Sequence, residues 1–179
     1  MIELVVACAI TFVAALLDWR TGRIPNWLTL GGLAVAPWFH FFREARHSGF
    51  HLPAWTELGS SALGALACGL VPFLVARKGA MGGGDVKLFA LVGAWLLPFR
   101  GIEAQLYAFA AACLIAPAFL AYEGKLISTL KNSFFLLLNP LLPQAKRRPV
   151  EPEMMSWFRL GPAIFIGVLL ETVISWKIG

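Results

Sequence analysis

Residues 80–93 read AMGGGDVKLFALVG. Three glycines, Gly82, Gly83 and Gly84, run into Asp85. Lys87 follows, and then an apolar run to Pro98. An ionisable carboxyl at the edge of a membrane-length segment marks a candidate functional site. Glycine lets backbone approach another group closely and adopt angles closed to other residues. The chain has one other aspartate, Asp18, and it too closes an apolar segment. The pattern predicts apolar helices that bring two aspartates together as one pair.

Composition sets the solvent. The 179 residues suffice for one domain, taken as residues 1–179, embedded in a membrane. Hydrophobic residues make up 59% and charged residues 14%, whereas a soluble globule carries about 25% charged residues to cover its surface. The fold class expected is therefore all-α and polytopic. The formal net charge of +5 is assigned to Lys and Arg in cytoplasmic loops. No polar segment interleaves basic and aromatic residues, which argues against a nucleic-acid partner. Cys8, Cys68 and Cys113 are isolated in apolar runs, without Cys-x-x-Cys spacing, and read as small core hydrophobes.

Six spans follow from the apolar runs, at about 2–17, 27–42, 58–76, 86–99, 104–122 and 160–176. The first and fourth are short for a bilayer, which takes ~17–25 residues. Residues 43–57 read as a polar loop, and Asn26 as a cap for the second helix. Gly59, Gly64 and Gly69 on the third span predict close helix contact. Residues 126–142, interrupted by Lys131, Asn132 and Asn139, fit a surface-lying amphipathic helix better than a span. With the N-terminus outside, inner loops collect 11 basic residues and outer loops 4. That split places Asp18 and Asp85 at the cytoplasmic face of a multi-pass protein in the inner (plasma) membrane.

Two carboxyls held close cannot both ionise cheaply, so they tend to share a proton. The charged member takes a proton from water while the neutral member hydrogen-bonds a scissile carbonyl. This chemistry calls for no metal and no cofactor. It predicts a rate that titrates between about pH 5 and 8, and a flat profile would argue against it. Taken singly, Asp85 also fits a helix N-cap, Asp18 an interfacial salt bridge to Arg20 or Arg23, and Gly82–Gly84 a flexible turn.

GGGDVKL matches the Gly-x-Gly-Asp motif of intramembrane-type aspartic proteases. Asp18 followed by WRTGRIPNWLT resembles the first-aspartate motif of type IV prepilin peptidases, an Asp ahead of Ile-Pro-Asn. RLGPAIFIG, at 159–167, is similar to a third patch of that family, built on Gly-Pro. The resemblance implies catalytic roles for Asp18 and Asp85 and supporting roles for Gly82, Gly84, Lys87, Pro25 and Asn26. It leaves open whether Lys87 meets a carboxylate or lipid phosphates. The implied substrate is a prepilin or pseudopilin, with membrane lipid as the surrounding partner. The larger members carry an N-terminal domain with paired cysteines and also methylate. This chain begins on a span without Cys-x-x-Cys, so it resembles the short peptidase-only branch associated with Flp-type (tight-adherence) pili.

Two alternatives remain: another Gly-x-Gly-Asp intramembrane protease, or a non-enzymatic transporter or assembly factor that uses Glu171 inside the last span. Glu171 is expected to snorkel or to form an internal hydrogen bond. His47 and His51 have the i, i+4 spacing of a metal pair but sit in the expected loop with Gly49 between them. The sequence does not specify an oligomeric state.

Overall fold

A computed structural model describes residues 1–79, 81–122, 124, 127 and 159–178. Among these, all regular structure is helical: α1 (Ile2–Thr21), α2 (Asn26–Ser48), α3 (Leu52–Arg77), α4 (Gly83–Tyr122) and α5 (Gly161–Ile178). The chain divides into two compact units, one of Met1–Ala111 with Arg159–Gly179 and one of Ala112–Phe158. The second contributes the last described turns of α4. The expected amphipathic helix at 126–142 lies outside the described residues. Helices α1, α3 and α4 are long and apolar enough to cross a membrane. Large apolar side chains cover outward faces, as Leu63, Leu66, Leu70, Phe73 and Leu74 do on α3. Exposed apolar surface on that scale suits a lipid environment rather than water.

Helix α4 is two helices run together. Leu97 has φ 65° and ψ 170°, a combination costly for a residue with a Cβ. Pro98 follows it, and proline disfavours helical angles in the residue before it. Twenty helical residues span about 30 Å, yet the Phe89 and Phe109 ring centroids stand 5.2 Å apart. A Cβ on Gly101 would come within 2.9 Å of the Gly93 Cα. The chain therefore folds back at Leu97, giving arms at 83–96 and 98–122. The turn comes inside the fourth span expected at 86–99, and residues 100–103, expected between the fourth and fifth spans, are helical. The first arm, about 21 Å long at 1.5 Å per residue, is the centre of the core. Leu88, Phe89, Leu91, Val92, Ala94, Trp95 and Leu96 are all buried on it.

Small residues set the distances around that arm. Gly64 of α3 and Gly93 of α4 meet backbone to backbone, and a Cβ on either would overlap the other's carbonyl oxygen. Polar contacts between helices reinforce the fit. Ser61 Oγ donates to the Ala94 carbonyl at 2.8 Å, Gln105 Nε2 to the Cys68 carbonyl at 3.2 Å, and Trp95 Nε1 to the Gly32 carbonyl at 3.1 Å. Helix α5 packs antiparallel on α1: Gly161 meets Asp18, and Phe165 stacks obliquely on Phe12, 5.3 Å between centroids.

Two local expectations are corrected. The polar stretch 43–57 is not a loop, because α2 continues to Ser48 and α3 begins at Leu52. Arg43, Glu44 and Arg46 are tolerated in a helix, and the break comes at Gly49, whose φ of 73° favours glycine. Asn26 does not cap α2. Pro25 is the N-cap, and Asn26 is the first helical residue. Of the cysteines, Cys68 is buried and Cys8 half-buried, but Cys113 is exposed.

At the far end of the helices from Asp18, Arg43 binds two carboxylates, Glu3 Oε1 at 3.0 Å and Glu57 Oε2 at 3.4 Å. Fully buried His40 lies beside them, its Nε2 donating to the Trp95 carbonyl at 3.1 Å. Its Nδ1 is 4.0 Å from Glu57. Part-exposed pairs of this kind contribute little each. Arg43→Met is expected to cost about 1 kcal/mol, read as a fall of roughly 2–4 °C in the thermal midpoint of the detergent-solubilised protein.

Candidate active site

The site forms where α1 ends and α2, α4 and α5 begin. Helix α1 stops because Gly22 takes φ 66° and its N–H closes on the Asp18 carbonyl at 2.8 Å. This cap leaves the Asp18 side chain in the last turn, pointing into the bundle, where it is buried. Its Oδ2 accepts a hydrogen bond from the Gly161 N–H at 3.1 Å. Arg159 donates to the carbonyl of Trp19, the residue after Asp18. The Asp18 carboxyl thus meets the first amide of α5, and among the described residues it forms no ion pair with Arg20 or Arg23, the alternative for Asp18 taken singly.

Asp85 stands at the start of α4, but it is not the N-cap. Gly82 fills that role, its carbonyl accepting from the Asp85 and Val86 amides at 3.2 and 3.4 Å. Asp85 is the third helical residue, and its carboxyl turns back on the Gly82 backbone, as the acidic member of a capping box does. Asp85 is close enough to Asp18 for the two charges to interact. Both carboxyls therefore lie at helix N-termini, α5 for Asp18 and α4 for Asp85, where exposed amides and the helix dipole favour negative charge.

The two sequence patches interlock around this pair. A Cβ on Gly84 would come within 3.3 Å of the Ile24 Cβ, so a larger residue there would press on the Ile-Pro-Asn segment. Lys87 Nζ donates to Asn26 Oδ1 at 2.8 Å, tying the first turn of α4 to the first turn of α2. Lys87 pairs with an amide, neither of the partners the sequence left open. Pro25 starts α2 and its carbonyl accepts from the Leu28 and Thr29 amides at 3.2 and 3.3 Å. Among the described residues, positive φ occurs at Gly79 but not at Gly82, Gly83 or Gly84. The left-handed turn before α4 is therefore made upstream. Close approach to Ile24 is the reason for glycine at 84.

Other candidates sit apart. His47 is in the last turn of α2 and His51 is the N-cap of α3. Among the described residues no group of three or more His, Cys, Asp or Glu could hold a metal ion. Glu171 does not snorkel: it is buried and accepts from Ser175 Oγ at 2.6 Å. The contacts that sequence inspection missed are Ile24 on Gly84, and Gly161 and Arg159 on the Asp18 turn. The Ile-Pro-Asn and Gly-Pro patches flagged those segments, but no pattern in the sequence says which residue each one meets.

A family model described as the type IV leader peptidase family matches residues 5–121. No curated protein and no solved structure matches the chain.

Proposed function

The chain belongs to the type IV leader peptidase family, and on that premise we propose that it is a membrane aspartic endopeptidase that removes the leader from type IV prepilins or pseudopilins. What supports this reading is that the chain's two aspartates lie at the same end of the helices, near enough for the charge of Asp18 to act on Asp85. The remaining motif residues, Ile24 with Gly84 and Lys87 with Asn26, interlock beside them.

In the reaction, a water oxygen attacks the scissile carbonyl carbon. The ionised carboxylate takes the water proton, and the neutral carboxylic acid gives its proton to the carbonyl oxygen. The resulting gem-diol collapses. The acid formed in the first step protonates the leaving nitrogen, the C–N bond breaks, and the other carboxylate recovers a proton from a gem-diol hydroxyl, whose oxygen becomes the carbonyl of the new carboxyl group. One water is consumed and the pair returns to its starting state.

The six helical runs (α1, α2, α3, both arms of α4, and α5) act as six spans. Arg20, Arg23, Arg77, Lys78, Lys87 and Arg159 gather at the Asp18 end, which makes it the cytoplasmic face by the basic-residue rule. A substrate helix sharing the bilayer then presents its cut site at that face. The substrate class is the Flp, or tight-adherence, type.

Co-expression with an inserted Flp-type prepilin tests this directly. A faster-migrating pilin on a gel is expected with the wild-type chain, and its absence, with both proteins in the membrane, overturns the proposal.

A further inference from the structure

The Gly-Pro patch has no assigned role in the chemistry above. Its contacts are specific. Helix α5 has Leu160 as N-cap, with the Ile164 amide on the Leu160 carbonyl at 3.0 Å, which makes Gly161 the first helical residue and Pro162 the second. Proline is tolerated in a first turn, where the amide has no helical partner. The Gly161 amide is likewise unused by the helix, and it is given to Asp18 Oδ2 at 3.1 Å. No side chain fits at Gly161: a Cβ there would lie 2.8 Å from Asp18 Oδ2, 2.9 Å from its Cβ and 3.2 Å from its Cγ. Two residues earlier, Arg159 crosses to the Trp19 carbonyl and reaches the Gly22 turn, where a Cβ would lie 3.8 Å from its Nη2.

We propose that residues 159–161 form a clamp that positions Asp18 for catalysis, with the Gly161 amide fixing Oδ2 and Arg159 fixing the backbone turn behind it. The inference rests on the dyad reading above. One carboxylate oxygen, Oδ2, is held by the amide at the positive end of α5, and among the described residues no hydrogen bond engages Oδ1. Gly161 and Arg159 are positioning residues; neither touches the reacting atoms. Glycine at 161 is needed for space, since the carboxyl occupies the place of its Cβ.

The test is steady-state kinetics of the purified full-length protein on an inserted prepilin. Misplacing a catalytic group by about 1 Å costs about 10²-fold, so Gly161→Ala is expected to lower kcat by about 10²-fold with KM held within about 3-fold. Pro162→Ala leaves the Gly161 amide in place and is expected to hold both constants within about 3-fold. Arg159→Ala is expected to lower kcat by about 10-fold, and Arg159→Lys, which keeps a donor for the Trp19 carbonyl, to recover most of it. Full activity of Gly161→Ala, with Asp18→Asn inactive, overturns the clamp and leaves the proposed function standing. Activity in Asp18→Asn overturns the dyad instead. Should Gly161→Ala fail to fold, the Arg159 pair decides: Arg159→Ala matching wild type in kcat overturns the clamp.

Discussion

Asp18→Asn and Asp85→Asn are each expected to reduce leader removal by about 10³-fold or more, because each removes a general acid–base group from the same proton circuit. Asparagine has the shape of the acid but neither takes nor gives a proton at the pH of the reaction. At position 18 its carbonyl oxygen can still accept the Gly161 amide, and at position 85 it can still turn back on Gly82, so the helix ends stay capped. Loss of activity then reports chemistry and not folding. The double variant is expected to be no worse than the poorer single one, since residues that act as a unit are strongly non-additive. Processing is read as the ratio of mature to precursor pilin over time, with helical content and thermal midpoint measured in parallel. Either single variant retaining more than about a tenth of wild-type activity would sink the dyad.

The second large effect is on the fold. Gly93→Val is expected to cost about 3 kcal/mol or more, at or beyond the upper end for an overpacked core. The reason is that the obstacle is backbone. A Cβ at 93 runs into the Gly64 carbonyl and stands 2.8 Å from the Cys68 Cβ, and neither can swing aside as a long side chain does. The α4 arm that carries Gly93 also carries Asp85 at its start and the largest block of buried residues. Pushing it off α3 moves the site with it. A drop on the order of 10 °C in thermal midpoint, at 2–4 °C per kcal/mol, is the expected result, along with less protein accumulating in the membrane. Gly59→Ala is the control on the same helix as Gly64. Nothing lies within 4 Å of a Cβ there, so it is expected to raise stability by about 0.5–1 kcal/mol. A Gly93→Val protein as stable as wild type would mean that α3 and α4 do not touch as described.

Much of this was legible beforehand, and for identifiable reasons. Apolar run length located α1, α3 and the two arms of α4, because burying a backbone in lipid forces it into helix whatever its partners. The pair of aspartates stood out because carboxyls are costly beside hydrocarbon. Polarity at 43–57 suggests a loop but does not require one, because a polar helix end continues until a residue such as Gly49 stops it. Residue type alone points to Asn26 as a cap, while in the structure Pro25 is the cap and the Asn26 amide accepts from Lys87.

By itself, then, the sequence determined the membrane class, the all-helical content, the two aspartates and the three motif patches that carry the family likeness. Those are properties of composition and spacing, and composition and spacing are local. The tertiary structure alone decided that Leu97 turns the chain back, that Gly84 makes room for Ile24, that Lys87 finds Asn26, and that Gly161, 143 residues from Asp18, supplies its hydrogen bond. The last three are contacts between segments distant in the chain. Small residues permit such contacts without specifying a partner, and only the packing of one helix on another fixes which partner is met.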